Sequence, residues 1–266
     1  MRTILLALAA LATSFAASAL DHSHKAWDEL LKKHVKYVEG GNASRVSYAG
    51  LAKDRAALKA VEDEYSRASK AEFDAWSKPQ QQAFLINAYN AFTVEKILTR
   101  YPGIKSIKDF GGVFNNPWKD KFIRLLGEPA SLDTIEHEML RKEGVYDDPR
   151  VHVAVVCASI GCPMLRNEAF TAERLEAQLE DAMKRFLSDR TRNRYNPQTR
   201  KLEVSRIFDW YGKDFERGHK GFKSVKATLA KYADQLADKP EERAVVASQQ
   251  ADIAFLEYDW ALNDSR

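Results

Sequence analysis

The stretch from Ser77 to Leu98 constrains the fold more than any other part of the chain. Pro79 falls in the first turn of a helix there, where its missing N–H costs no helical bond, and Ser77 occupies the cap position. At about 100° per residue, Ala83, Phe84, Asn87, Ala91, Val94 and Leu98 share one face, while Ile86, Asn90, Thr93 and Ile97 fill the next. A helix apolar over most of its circumference has to be surrounded, so the pattern predicts a central position. Asn87 lies in the middle of the main face. An unpartnered buried amide costs about 1–3 kcal/mol, so Asn87 has to bond something. It either ties down a neighbouring loop or helix end, or it orients a catalytic group.

The flanking segments are short and mixed. Helical spacing is read over 26–37, 51–66, 132–142, 170–187 and 225–236. Strands are read at 46–48, 121–126, 202–204 and 253–258. No repeat, heptad pattern or long linker interrupts them. The expectation is a single α+β domain over 20–266, with a small, mostly antiparallel sheet packed by several helices.

Residues 1–19 read as a signal peptide, with Arg2, a short apolar core from Ile4 to Ala12, and Ala17-Ser18-Ala19 at the cleavage site. This predicts a periplasmic or secreted protein with no integral membrane segment after the leader is removed. The chain carries 41 basic and 38 acidic residues, a balance that argues against a nucleic-acid surface. The locally basic run 185–206 reads as a solvated hairpin or loop. No phosphate loop or dinucleotide fingerprint is present, and no cofactor is expected. The partner class left is a small molecule or a peptide-like substrate.

The chemistry concentrates in Val151 to Pro163, which holds both cysteines and one of six histidines. The β-branched run 151–156 reads as a strand that delivers Cys157 into a small-residue turn. A thiolate nucleophile needs a base, and the base an orienting group. In a regular strand, residues five apart face opposite sides, which sets His152 apart from Cys157 and favours His137. Glu136 falls inside the buried stripe read as Leu132, Ile135, Met139 and Leu140. It needs a partner, with Arg150 and Arg166 as candidates, and Glu136 or Asn87 could orient the histidine. Cys157, His137, Glu136, Asn87 and His152 are therefore the candidate catalytic set. Papain-like and transglutaminase-like folds use such residues, though with cysteine before histidine, the reverse of the order here.

Three other readings use the same segment. In an oxidising compartment Cys157 and Cys162 form the simplest disulfide set, which makes the protein a binding or scaffold module of the envelope. His137, His152, Cys157 and Cys162 are ligand types that suit zinc, although their spacing matches no compact zinc motif. Thiol–disulfide exchange is the third, against a spacer longer than the usual pair of residues.

Ala83-Phe84-Leu85-Ile86-Asn87-Ala88-Tyr89-Asn90-Ala91, Ile135-Glu136-His137, the segment His152 to Cys157, Gly161-Cys162-Pro163, Ile207-Phe208-Asp209-Trp210-Tyr211 and Tyr258-Asp259-Trp260 together resemble domain-of-unknown-function family 547. The resemblance covers about 46–263. The family occurs in exported bacterial proteins and in plant proteins, and its activity is unsettled. It implies that these motifs converge in space. Leu85 departs from the tryptophan expected there.

Overall fold

The computed structural model describes residues 20–112 and 116–265. The leader read at 1–19 lies outside the described residues. Helix α1 (Lys25–His34) buries Trp27, Leu30 and Leu31. It stops at His34 rather than Tyr37 because the β-branched Val35 and Val38 enter strand β1 (Val35–Val38), which pairs antiparallel with β2 (Ala43–Val46). Tyr48, expected in a strand, instead opens α2 (Tyr48–Lys53), and α3 (Arg55–Arg67) and α4 (Lys70–Ala75) follow.

Helix α5 (Lys78–Leu98) takes the central place that its composition requires. Every residue from 81 to 94 is buried. Ser77 accepts from the Gln80 N–H, and the Gln80 side chain accepts from the Ser77 N–H at 2.9 Å. This capping box satisfies orphan donors at the helix start.

The hairpin of β3 (Ile123–Leu125) and β4 (Glu128–Ala130) leads into the helix capped by Ser131. Its body, Thr134–Leu140, is π-helical, and the Arg141 N–H reaches back to the Glu136 carbonyl at 2.9 Å. Then come α6 (Leu175–Ser188), the hairpin β5 (Arg194–Asn196) and β6 (Lys201–Val204), α7 (Ile207–Trp210), α8 (Val225–Lys231), α9 (Ala233–Leu236), α10 (Pro240–Ala247) and β7 (Asp252–Phe255). The hairpin lies where the basic run was read. Strand β7 runs parallel to β6.

The class is α+β, as expected, with the strands divided among three small sheets rather than gathered in one. Two apolar clusters form the core. One surrounds α5; the other gathers residues of α6, β6, α7 and α8. No helix among the described residues is long and apolar enough to cross a membrane.

The strand expected at 151–156 does not form. Asp148 accepts from the Arg150 N–H at 3.0 Å, and Pro149 follows it, so the chain opens as a 3-10 helix at Pro149–Val153. The β-branched residues are buried without a strand partner, because a side chain of α5 satisfies the backbone that follows.

Candidate active site

Two asparagines on α5 position the chain around the site. Asn87 donates to the Phe170 carbonyl at 2.7 Å and accepts from the Phe170 N–H at 3.0 Å. Asn90 donates to the Ala154 carbonyl at 2.9 Å and accepts from the Val156 N–H at 3.0 Å. Each amide thus acts as a strand edge for one short stretch of chain. Asn90 holds the residue immediately before Cys157. Asn87 is committed to the start of the 170s segment and does not line the cavity described below.

After Cys157 the chain turns sharply. Ala158 is left-handed at φ 62°, a conformation that costs a non-glycine residue about 1–2 kcal/mol. The C-terminal segment straps this turn. Ile160 N–H donates to the Ala261 carbonyl, Gly161 N–H to the Asp259 carbonyl, and Asn263 N–H to the Ala158 carbonyl, at 2.8–3.0 Å. Gly161 makes the approach possible, because a Cβ there would lie 2.9 Å from the Asp259 nitrogen and 3.1 Å from the Tyr258 ring. The strap carries Tyr258 and Trp260 to the thiol.

These elements enclose a cavity of about 290 Å³. Cys157, Cys162, His152, His137 and Glu136 all line it, between aromatic walls of Tyr89, Trp118, Trp210, Tyr211, Tyr258 and Trp260. Cys157 Sγ lies 3.1 Å from Cys162 Sγ, 3.2 Å from Tyr258 Oη and 3.5 Å from Ser159 Oγ. Both cysteines are free, and their sulfurs are well beyond the roughly 2.05 Å of a disulfide bond. Hydrogen bonding from Cys162, assisted by Tyr258 and Ser159, holds the Cys157 thiol below its ordinary value although burial opposes it. Burial and the neighbouring Cys157 push Cys162 up. Of the two thiols, Cys157 is the one held low.

Without a strand, parity no longer separates His152 from the thiol, and both face the cavity. His152 Nε2 lies 2.7 Å from Asp214 Oδ2, and the ring stacks on Tyr211 at 3.8 Å between centroids. With Nε2–H donated to Asp214, Nδ1 keeps its lone pair; it is buried and has no hydrogen-bond partner. Burial lowers the imidazole's affinity for a second proton, and Asp214 opposes that. Burial alone would raise Asp214, but bonds from His152 and Arg141 outweigh it and hold the carboxyl well below its usual range. Arg217 adds a third contact at 3.0 Å.

His137 also faces the cavity, but both its nitrogens are engaged. Nδ1 meets Arg141 Nη1, and Nε2 lies 3.5 Å from Asp133. Among the described residues no histidine bonds Cys157 Sγ directly. The partners of Glu136 are not the expected arginines. Arg150 is bound to Asp148 and Glu176, and Arg166 to Glu168 and Asp181. Glu136 instead accepts from Tyr89 Oη at 3.1 Å, and its proximity, after burial, helps push the Tyr211 phenol up. The π-helical turn brings the adjacent Glu136 and His137 to one cavity, a use for which π-bulges recur.

Asp214, Arg141 and Asn90 escaped the sequence reading as site residues. Asp214 is a charged residue in a stretch with no periodic signal, and Arg141 lies at the end of the helix read at 132–142, where nothing sets it apart from its charged neighbours. Asn90 was placed on the helix face, but its role depends on residues more than 60 positions away. Among the described residues, no group of three or more histidine, cysteine, aspartate or glutamate side chains is placed to hold a metal ion.

Residues 73–187 match a family model described as "Protein of unknown function, DUF547". The matched segment includes α5, the π-helical turn and the thiol turn. Ile207 to Tyr211 and Tyr258 to Trp260, which complete the cavity, lie beyond it. Comparison with curated proteins and with solved structures gives no match.

Proposed function

Over residues 73–187 this chain belongs to the domain-of-unknown-function 547 family, which supplies no reaction, and from the cavity we propose a thiol-dependent acyl-transfer enzyme, a hydrolase or acyltransferase. The observation that carries this reading is a His–Asp pair with a free Nδ1 on His152, lining the same cavity as Cys157. In the proposed cycle Cys157 sulfur attacks an acyl carbon and its proton passes to His152 Nδ1. The imidazolium, stabilised by Asp214, returns that proton to the leaving group as the acyl bond breaks. Water or another acceptor then attacks the thioester and gives its proton to Nδ1; as the C–S bond breaks, the sulfur leaves and takes that proton back, which restores the thiol and the neutral imidazole. The leader pattern at 1–19 supports action in a periplasm or outside the cell, on a small molecule or peptide-like acyl compound.

p-Nitrophenyl acetate tests the chemistry without knowledge of the natural substrate. One equivalent of p-nitrophenol should be released in a burst, with an acetyl adduct on Cys157 by mass spectrometry. Cys157→Ala should abolish both, and His152→Gln should slow turnover of the adduct. Acetylation of Cys157 no faster than that of free cysteine would overturn the reading.

A second reading, an envelope binding module closed by a Cys157–Cys162 bridge, requires oxidation of the two free sulfurs, which lie 3.1 Å apart. Thiol counting on the denatured, unreduced protein distinguishes the two. Two free thiols rule out a structural bridge.

A further inference from the structure

Glu136 is 5% exposed and lines the cavity, yet among the described residues no lysine, arginine or histidine pairs with it. Its bonded donor is the neutral phenol of Tyr89. Arg141 and His152 sense its charge, but the guanidinium is bound to Asp214 and His137 and the imidazole to Asp214. A buried carboxylate without a cation costs several kcal/mol unless something compensates. The cavity lining adds Asp133 and contains no lysine or arginine. The lining therefore offers the Glu136 carboxyl no guanidinium or ammonium partner of its own.

The walls suit the same kind of guest. Trp210 and Trp260 stack at 5.8 Å between centroids, and Tyr258 lies 4.5 Å from Trp260 and 5.0 Å from Trp210. Trp118 meets Trp260 edge-on at 5.9 Å. Trp210 is 44% exposed, so this wall reaches the surface. Aromatic faces attract cations and cover alkyl chains at once. Lys108, which does not line the cavity, already places its ammonium 4.0 Å from the Trp260 ring centre.

We infer that the cavity binds an alkylammonium group, with the cation on Glu136 and the alkyl chain along the Trp210–Tyr258–Trp260 wall. This deepens the acyl-transfer reading, and on that reading rests only the further step that the cation belongs to the substrate. Binding itself needs no turnover.

n-Pentylammonium, n-pentanol and pentanoate are titrated into the full-length Cys157→Ala protein, followed by tryptophan fluorescence. Only pentylammonium should bind saturably, and adding Glu136→Gln should weaken it at least about tenfold, the scale of one hydrogen bond to a charged group. Equal binding of pentanol, or affinity indifferent to Glu136→Gln, overturns the inference while leaving acylation of Cys157 untouched. A second arm needs no variant. Aminoethyl, methyl and sulfonatoethyl methanethiosulfonates each transfer their thioalkyl group to Cys157 sulfur and expel methanesulfinate. Relative to free cysteine, the aminoethyl reagent should be preferred over the methyl one by about tenfold, and the sulfonate disfavoured. Loss of that charge order overturns the inference.

Discussion

Cys157 owes its lowered thiol value first to Cys162 and then to Tyr258 and Ser159, so each donor can be removed in turn. Cys162→Ala takes away the largest stabiliser of the thiolate. The pH profile of iodoacetamide alkylation should move upward by about one to two units, the worth of one charge-assisted bond. Tyr258→Phe should move it upward by less. An unchanged profile in Cys162→Ala would show that the pair does not set the acidity of Cys157. Asp214→Asn attacks the other half of the site. Asparagine can no longer hold Nε2–H as a charged acceptor, and Arg141 and Arg217 lose their shared partner. Turnover of the acetyl adduct should fall by at least about a hundredfold, with Cys157 alkylation largely kept. Retained turnover would remove His152–Asp214 from the mechanism. At this scale the sequence named the thiol, both histidines and Glu136, because reactive residue types are visible as letters. It missed Asp214, because a lone aspartate becomes informative only once a histidine is seen against it.

At the scale of elements, the instructive pair is Asn87 and Asn90. They occupy neighbouring faces of α5 and make matching clamps, but on different stretches of chain. Replacing either with alanine strands a buried N–H and carbonyl, at a cost of about 1–3 kcal/mol each. Both variants should melt lower. Only Asn90→Ala should also alter Cys157 alkylation, because only Asn90 fixes the backbone at Val156. Equal effects on the thiol would mean that both act through general stability. Helices were legible wherever an apolar period and a cap coincided, as at Ser77. The thiol segment was misread because β-branched burial is the same signal whether the backbone bonds a strand or an asparagine side chain. Nothing local in 151–156 reveals that Asn90 provides the bonds.

On the scale of the molecule, the cavity lies where the two apolar clusters meet. Tyr89 and Cys162 belong to one, Ile207 and Tyr211 pack with the other, and Tyr258 touches both. Its lining runs from residue 89 to 260, which is why no window of sequence displays it. Buried titratable groups distributed across both clusters make the fold sensitive to acid in two stages. Burial lowers His24 from 6.5 to about 4, so the folded state favours its neutral form. That preference contributes fully above pH 6.5 and is lost as pH falls through 4; His152 shifts in the same direction. Asp148 and Asp214 are held well below their usual range by His219, Arg150, His152 and Arg141, which outweigh burial, and Arg150 brings Glu176 to about 2. Their contributions are present above about pH 4 and disappear on further acidification. The melting temperature should therefore decline first between pH 6.5 and 4, and more steeply below. His24 accounts for about 3 kcal/mol of the first stage, or roughly 6–12 °C in a chain of this size. His24→Asn keeps a residue that tolerates the left-handed φ of 51° and removes the titration. The upper decline should shrink by about that amount while the lower one persists, because no carboxylate in the second stage depends on His24. A melting temperature that is flat from pH 7 to 4.5 in the unmodified protein would mean that His24 reaches water without unfolding.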